Sequence, residues 1–198
     1  MNKKIIYSTL LFLFFQSSLL SYSSNPKDFV NELVQEAITK LADKNLNDNQ
    51  KAKFVEKLAL ENVDINALGL YTLGELRKSA NSDDITNYQK SFRNYFLKSL
   101  TSRLADYSGS KFEILGEDKK SANYTIISSK VSPNDGSLEI KIDWRVYTKN
   151  PDKPLIRDLI VEGLSLARTQ KEEFASILSS NNNDIKALIK KLDEFAKN

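Results

Sequence analysis

The sequence predicts an α+β fold, a four-stranded antiparallel sheet packed against several amphipathic helices. Three observations lead there. Between Leu138 and Val146 the chain alternates apolar and polar side chains residue by residue, the period of a half-buried strand. Upstream of about residue 104 and downstream of Arg168, apolar residues recur every three or four positions, the period of one-faced helices. Pro133-Asn134-Asp135-Gly136 then puts a hairpin signal directly before the alternating run, which joins successive strands antiparallel.

Taken in order, residues 1 to about 23 have the form of a secretory signal. Lys3 and Lys4 give a basic start, Ile5 to Phe15 an apolar stretch and Ser21-Tyr22-Ser23 a small-x-small cleavage site. That apolar stretch is shorter than the ~20 residues needed to span a bilayer. Cleavage near Ser23 is expected, leaving 24–198 as a single domain in the periplasm. No cysteine follows the apolar stretch, so an N-terminal lipoprotein anchor is excluded.

Pro26 to Ala42 predicts a helix with Val30, Leu33, Val34, Ala37, Ile38 and Leu41 along one stripe, and Pro26 suits its first turn. Asp48 is placed to cap a second helix that turns Phe54, Val55 and Leu58 inward. A short helical turn is expected from Asp64 to Leu70. Thr72 and Glu75 stand three apart as in a capping box, which predicts a new helix start there. Ser82-Asp83-Asp84 caps the longest helix, about Ile85 to Leu104, whose inward stripe (Ile85, Tyr88, Phe92, Tyr95, Phe96, Leu100 and Leu104) is rich in aromatics.

From Lys111 the period changes to two. Strands are predicted at Phe112 to Leu115, Asn123 to Val131, Leu138 to Val146 and Leu155 to Val161, with Glu162-Gly163-Leu164-Ser165 as the turn into a helix. That helix runs from Arg168 to Leu178. Asp184 caps a last one with Ile185, Leu188, Ile189, Leu192 and Phe195 on one face.

Composition removes whole classes of chemistry. Cysteine and histidine are both absent, which excludes disulfides, thiol nucleophiles, the usual zinc sites and any histidine-based general base. The precursor carries +3, but two of its lysines lie in the leader, so the chain beyond it has 27 basic against 26 acidic side chains. Such a balance supplies no long-range field for nucleic acid.

Three stretches resemble a known family. Asp143-Trp144-Arg145-Val146, then Asp158 to Leu166, then Arg168 to Phe174 is similar to the C-terminal half of the MlaC, or toluene-tolerance, family. The likeness extends upstream through Val63-Asp64-Ile65, Thr72 to Glu75 and Tyr88 to Ser110. Pro154 stands where the family usually has Trp, Lys171 where Arg is common, and Asn181-Asn182-Asn183 where glycine is frequent. The resemblance implies a periplasmic phospholipid carrier without a cofactor or metal, whose sheet and helices enclose an apolar cavity for acyl chains. It implies as partners an outer-membrane lipoprotein complex and an inner-membrane ABC transporter with its substrate-binding ring, with the carrier itself a monomer. Leu138, Ile140, Ile142, Trp144 and Val146 from the sheet, with Phe92, Tyr95 and Phe96 from the long helix, are the candidate lipid-lining residues. Arg145 and Arg168 are candidates to meet a phosphate headgroup or to dock a partner.

Periodicity alone leaves alternatives open. Apolar stripes read the same whether the layer between sheet and helices is filled or hollow. An enzyme on a similar cone-shaped α+β fold would need Asp143 or Asp158 to point inward as a base, whereas alternation sets Asp143 opposite Trp144. Arg145, Asp143, Asp158 and Arg157 can equally form an exposed cross-strand ion-pair ladder, with Arg157 and Asp158 pointing oppositely. An envelope module that binds only proteins is the third reading.

Overall fold

The computed structural model describes residues 22–104 and 109–197, so the expected leader, 1–23, lies outside the described residues except for its last two positions, Tyr22 and Ser23. Among the described residues, six α-helices and five strands follow in the order α1 (Pro26–Ala42), α2 (Asp48–Asn62), α3 (Ile65–Thr72), a 3₁₀ turn (Gly74–Lys78), α4 (Ser82–Leu104), β1 (Lys111–Ser121), β2 (Tyr124–Ser132), β3 (Ile140–Tyr147), β4 (Leu155–Val161), β5 (Leu164–Ser165), α5 (Leu166–Ser179) and α6 (Ile185–Lys197). No helix of the described residues is long and apolar enough to cross a membrane.

The strands form one antiparallel sheet in sequence order, β1-β2-β3-β4-β5. The fifth strand corrects the expected four. It follows Glu162 and Gly163, both at positive φ (48° and 82°), in the two-residue turn whose twist suits a tight hairpin. Two residues carry no readable period, so β5 has no sequence signature. β1 is also far longer than Phe112 to Leu115, and a bulge at Leu115 breaks its alternation.

Helix ends differ from expectation by local hydrogen-bond chemistry. Asn47, not Asp48, caps α2: its Oδ1 accepts from Gln50 N at 2.9 Å while Gln50 Oε1 accepts from Asn47 N at 2.9 Å. The expected capping box at Thr72 and Glu75 does not form. Thr72 ends α3, and its hydroxyl is shared among the Leu68 and Gly69 carbonyls and the Tyr88 hydroxyl (3.1, 3.0 and 2.9 Å). Glu75 pairs instead with Lys78 inside the 3₁₀ turn, after Gly74 has taken φ +66°. Asp184 does cap α6, accepting from Lys186 N at 2.9 Å.

Two apolar clusters hold the molecule. One is helical: Tyr88 and Phe92 of α4 pack with Ile65, Leu73, Phe174, Leu178, Leu188 and Leu192 from α3, the residue that ends it, α5 and α6. The other lies on the sheet, where Phe29, Val30 and Leu33 of α1 cover Ile127, Val146 and Ile156. Val63, which bridges to Ile156 beside β4, packs against both. Tyr22 joins the sheet cluster edge-on to Phe29, and its hydroxyl donates to Glu36.

Candidate functional site

Pairing register assigns the faces of the sheet. Residues directly opposite one another share a face, so Thr125↔Val146↔Ile156, Ile127↔Trp144↔Leu159 and Ile114↔Ser129↔Ile142↔Val161↔Leu164 are rows across the inner face. A further row, Phe112↔Val131↔Ile140, lies beyond them. Burial changes along this series. Val146 is fully buried beneath α1, Trp144, Ile142, Val161 and Ile140 are half-buried, and Leu164 is 69% exposed. The inner face of β3 to β5 therefore passes from covered to open, while the inner-face residues of β2, Ile127, Ser129 and Val131, stay buried along its length.

Ile140, Ile142, Trp144 and Val146 thus share the face expected of them. Leu138 does not: it precedes β3 and is 88% exposed. The alternating pattern simply runs on past the end of the ladder. Phe92, Tyr95 and Phe96 belong to the helical cluster, where Phe92 meets Phe174 edge-on at 6.2 Å and Tyr95 meets Phe195 at 4.9 Å. The structure separates them from the sheet candidates instead of joining all eight in one lining. Phe112, Ile114, Leu159, Val161 and Leu164 are inner-face residues that the sequence reading missed. Their signal was the register, which a sequence without its pairing does not display.

Trp144 sits at the centre of the graded zone. Its ring meets Phe112 edge-on at 6.2 Å. Its Nε1–H donates to Ser129 Oγ at 2.8 Å, and that hydroxyl donates to the Ile142 carbonyl at 2.9 Å. The polar groups of the row are thereby satisfied within the sheet, leaving hydrocarbon and ring surface toward the opening.

Asp143, Arg145 and Asp158 occupy the other face, while at the β1 edge Glu117 and Lys119 stand opposite Ile127 and Thr125 in the inner rows. Arg145 lies opposite Asp158 and reaches it at 3.5 Å, on the face away from the apolar floor. The pair is not an exposed ladder, because the Asp158 side chain is 1% exposed. Its oxygens also accept from Ser165 Oγ at 2.6 Å and from Ala167 N at 3.0 Å, which fixes the first turn of α5. Arg157 does not point opposite to Asp158. A bulge beside it turns Arg157 over the Tyr147 ring, 3.4 Å from its centroid, and onto Asp64 at 2.6 Å. Nearby, the Ser132 hydroxyl and then the Lys130 ammonium hold the Glu139 carboxyl below its ordinary range. Arg168 stands exposed one turn beyond Leu164, without an ion pair among the described residues.

A buried carboxylate spent on a helix cap, and Asp143 on the outer face, give no inward-pointing base. Among the described residues no group of acidic side chains could hold a metal ion. The built features are an apolar floor open at one end and a rigid strand-to-helix corner beside it.

A family model described as MlaC protein matches residues 31–194. The chain belongs to the MlaC family. Among solved structures it is similar to a phospholipid-binding protein from Ralstonia solanacearum, determined in complex with a phospholipid. The two share 20% identity with a TM-score of 0.72 over 86% of this chain and 96% of that one, a likeness of fold. Asp158 to Leu166, one of the stretches that resemble MlaC, is the corner just described. The departures are accommodated locally: Asn182 and Asn183 take φ of 54° and 58°, the left-handed region that Asn tolerates better than most residues.

Proposed function

We propose that this protein binds a phospholipid with its acyl chains against the open inner face of the sheet and carries it between membranes. The observation that supports this reading is the graded floor from buried Val146 through Trp144 and Ile142 to exposed Leu164. Apolar side chains left half-covered on β3 and β4 and exposed on β5 cost free energy unless something apolar completes the burial. Acyl chains are suited to that: at ~0.8 kcal/mol per CH₂, two chains of about 30 methylenes together would cost on the order of 20 kcal/mol to expose to water.

The finer assignment follows the same logic. Ile140, Ile142, Trp144, Phe112, Ile114, Val161 and Leu164 contact the chains, and the helical cluster bearing Tyr95 and Phe96 borders them. Arg168, exposed one turn beyond Leu164 and without an ion pair among the described residues, meets the headgroup phosphate. The carrier works as a monomer in the periplasm after cleavage of the leader. It exchanges lipid with an outer-membrane lipoprotein complex and an inner-membrane ABC transporter with its substrate-binding ring, so maintaining outer-membrane lipid asymmetry. Family membership and the lipid held by the Ralstonia protein support this scheme.

Organic extraction of the purified mature protein, followed by mass spectrometry, tests the binding. Stoichiometric phospholipid is expected, and a protein that is empty both as purified and after incubation with phospholipid vesicles would overturn it.

A further inference from the structure

The short segment ahead of α1 is part of the domain. Tyr22 and Ser23 are half-buried, whereas Ser24 and Asn25, which follow them, are exposed. Tyr22 sets its ring edge-on to Phe29, 6.0 Å between centroids, and donates its hydroxyl to Glu36. Ser23 donates its backbone N–H to Glu32 at 2.8 Å, and its hydroxyl accepts from Asn25 N at 3.1 Å. Phe29, Glu32 and Glu36 stand three and four apart on α1, along one face of the helix. The two residues therefore lie back along α1 as a strap, and Asn25 caps the helix at the bend by accepting from Lys27 N and Asp28 N.

The strap meets the sheet core at its edge. Phe29 is 1% exposed with the Tyr22 ring against it, and it is one of the α1 residues that cover Ile127, Val146 and Ile156. Burial pushes the Tyr22 hydroxyl above its ordinary pKa, and the Glu36 bond and the charges of Glu36, Glu61 and Glu32 act in the same direction. A chain end is ordinarily loose unless ties of this kind hold it.

Two cuts leave a small residue before the break, one after Ser21 and one after Ser23. Two positions earlier the second has Ser21 and the first has Leu19, so the small-x-small pattern alone selects the second. That cut discards the strap. It strips the ring from Phe29, takes these donors from Glu32 and Glu36, and removes the hydroxyl that Asn25 N reaches. A cut after Ser21 keeps all of these contacts. We propose that the leader is removed between Ser21 and Tyr22, so that Tyr22 is the first residue of the mature chain and closes the edge of the sheet core. This processing site rests on the proposed removal of a leader and lies two residues upstream of the Ser23 position.

The test secretes the full precursor into the periplasm of a Gram-negative host and reads the first residue of the purified protein by intact mass and N-terminal sequencing. A chain beginning Tyr22-Ser23-Ser24-Asn25 is expected. A first residue of Ser24, or any other residue after Met1, would overturn the site yet leave a cleaved leader standing; a chain still beginning at Met1 would overturn both. A second measurement compares the thermal melting of 22–198, 24–198 and Tyr22→Phe in 22–198, each released from a cleavable fusion at its own first residue. The shorter chain should melt about 4 °C or more below the longer one. Tyr22→Phe should fall between them, because it keeps the ring and loses only the bond to Glu36. Equal melting of 22–198 and 24–198 would show that the strap holds nothing and would overturn the proposal.

Discussion

Trp144 and Ser129 are joined by a 2.8 Å hydrogen bond across adjacent strands, and the same serine hydroxyl holds the Ile142 carbonyl. One small polar residue thereby lets a large aromatic one lie on an apolar floor without an unpaired N–H. Removing the hydroxyl in Ser129→Ala should destabilise the fold by about 1–3 kcal/mol, because the indole N–H is left buried and unsatisfied. Trp144→Phe in the same background should recover part of that loss, since it removes the orphaned donor. Urea denaturation of the two single variants and the double variant measures the coupling; strictly additive losses would show that the bond is of no consequence.

The Asp158 carboxylate ties Arg145, Ser165 and the Ala167 N–H together beneath the start of α5. Asp158→Ala should cost about 3 kcal/mol or more, and Ser165→Ala about 1 kcal/mol. Hydrogen exchange should report the difference in the first turn of α5 ahead of the rest of the helix. Uniform loosening of all six helices would place the role of Asp158 elsewhere.

Between α3 and α4 the backbone leaves no room for a methyl group. A Cβ on Gly69 would stand 2.9 Å from Phe92 Cδ1, against a ring already packed on Tyr88, Phe96 and Phe174. Gly69→Ala should lose about 1–3 kcal/mol even though alanine favours helix. A gain in melting temperature would mean that the ring can step aside.

Burial pushes the Tyr88 hydroxyl above its ordinary pKa, outweighing the opposite influence of the Thr72 hydrogen bond. A group whose folded pKa is raised contributes stability below its unfolded pKa, about 10 for tyrosine, and loses that contribution as pH rises toward the folded value. Stability should therefore fall above about pH 10, and Tyr88→Phe should flatten that alkaline limb. Thr72 keeps its carbonyl partners at Leu68 and Gly69 in that variant, so it should fold. An unchanged alkaline limb would assign the effect to another tyrosine, such as Tyr22.

How much of this was legible in the sequence varies with the physics of each element. β3 announced itself because its side chains alternate apolar and polar from Ile140 to Val146, although only Val146 is fully buried and Asp143 and Arg145 are half-buried like Ile142 and Trp144. Leu138 carried the same pattern but lies outside the ladder, and pattern alone does not say where pairing stops. β4 reads Leu-Ile-Arg-Asp-Leu-Ile-Val without clean alternation, because its bulge shifts register and Asp158 is buried on the outer side; Leu159 and Val161 were hidden for that reason. The aromatic stripe of α4 was read correctly as buried, yet it packs on α3, α5 and α6 while α1 takes the sheet. An apolar stripe specifies that a helix is covered and leaves the covering element open.

Because Trp144 is the sole tryptophan, its emission reports on the proposed site alone. The most direct measurement loads the mature protein with phospholipid whose acyl chains carry bromine, a contact quencher, and compares its fluorescence with that of protein loaded with the unbrominated lipid. Strong quenching at stoichiometric lipid is expected, relieved when Val161→Asp places a charge on the open row. Lipid retained at full stoichiometry with Trp144 emission unquenched would contradict the account.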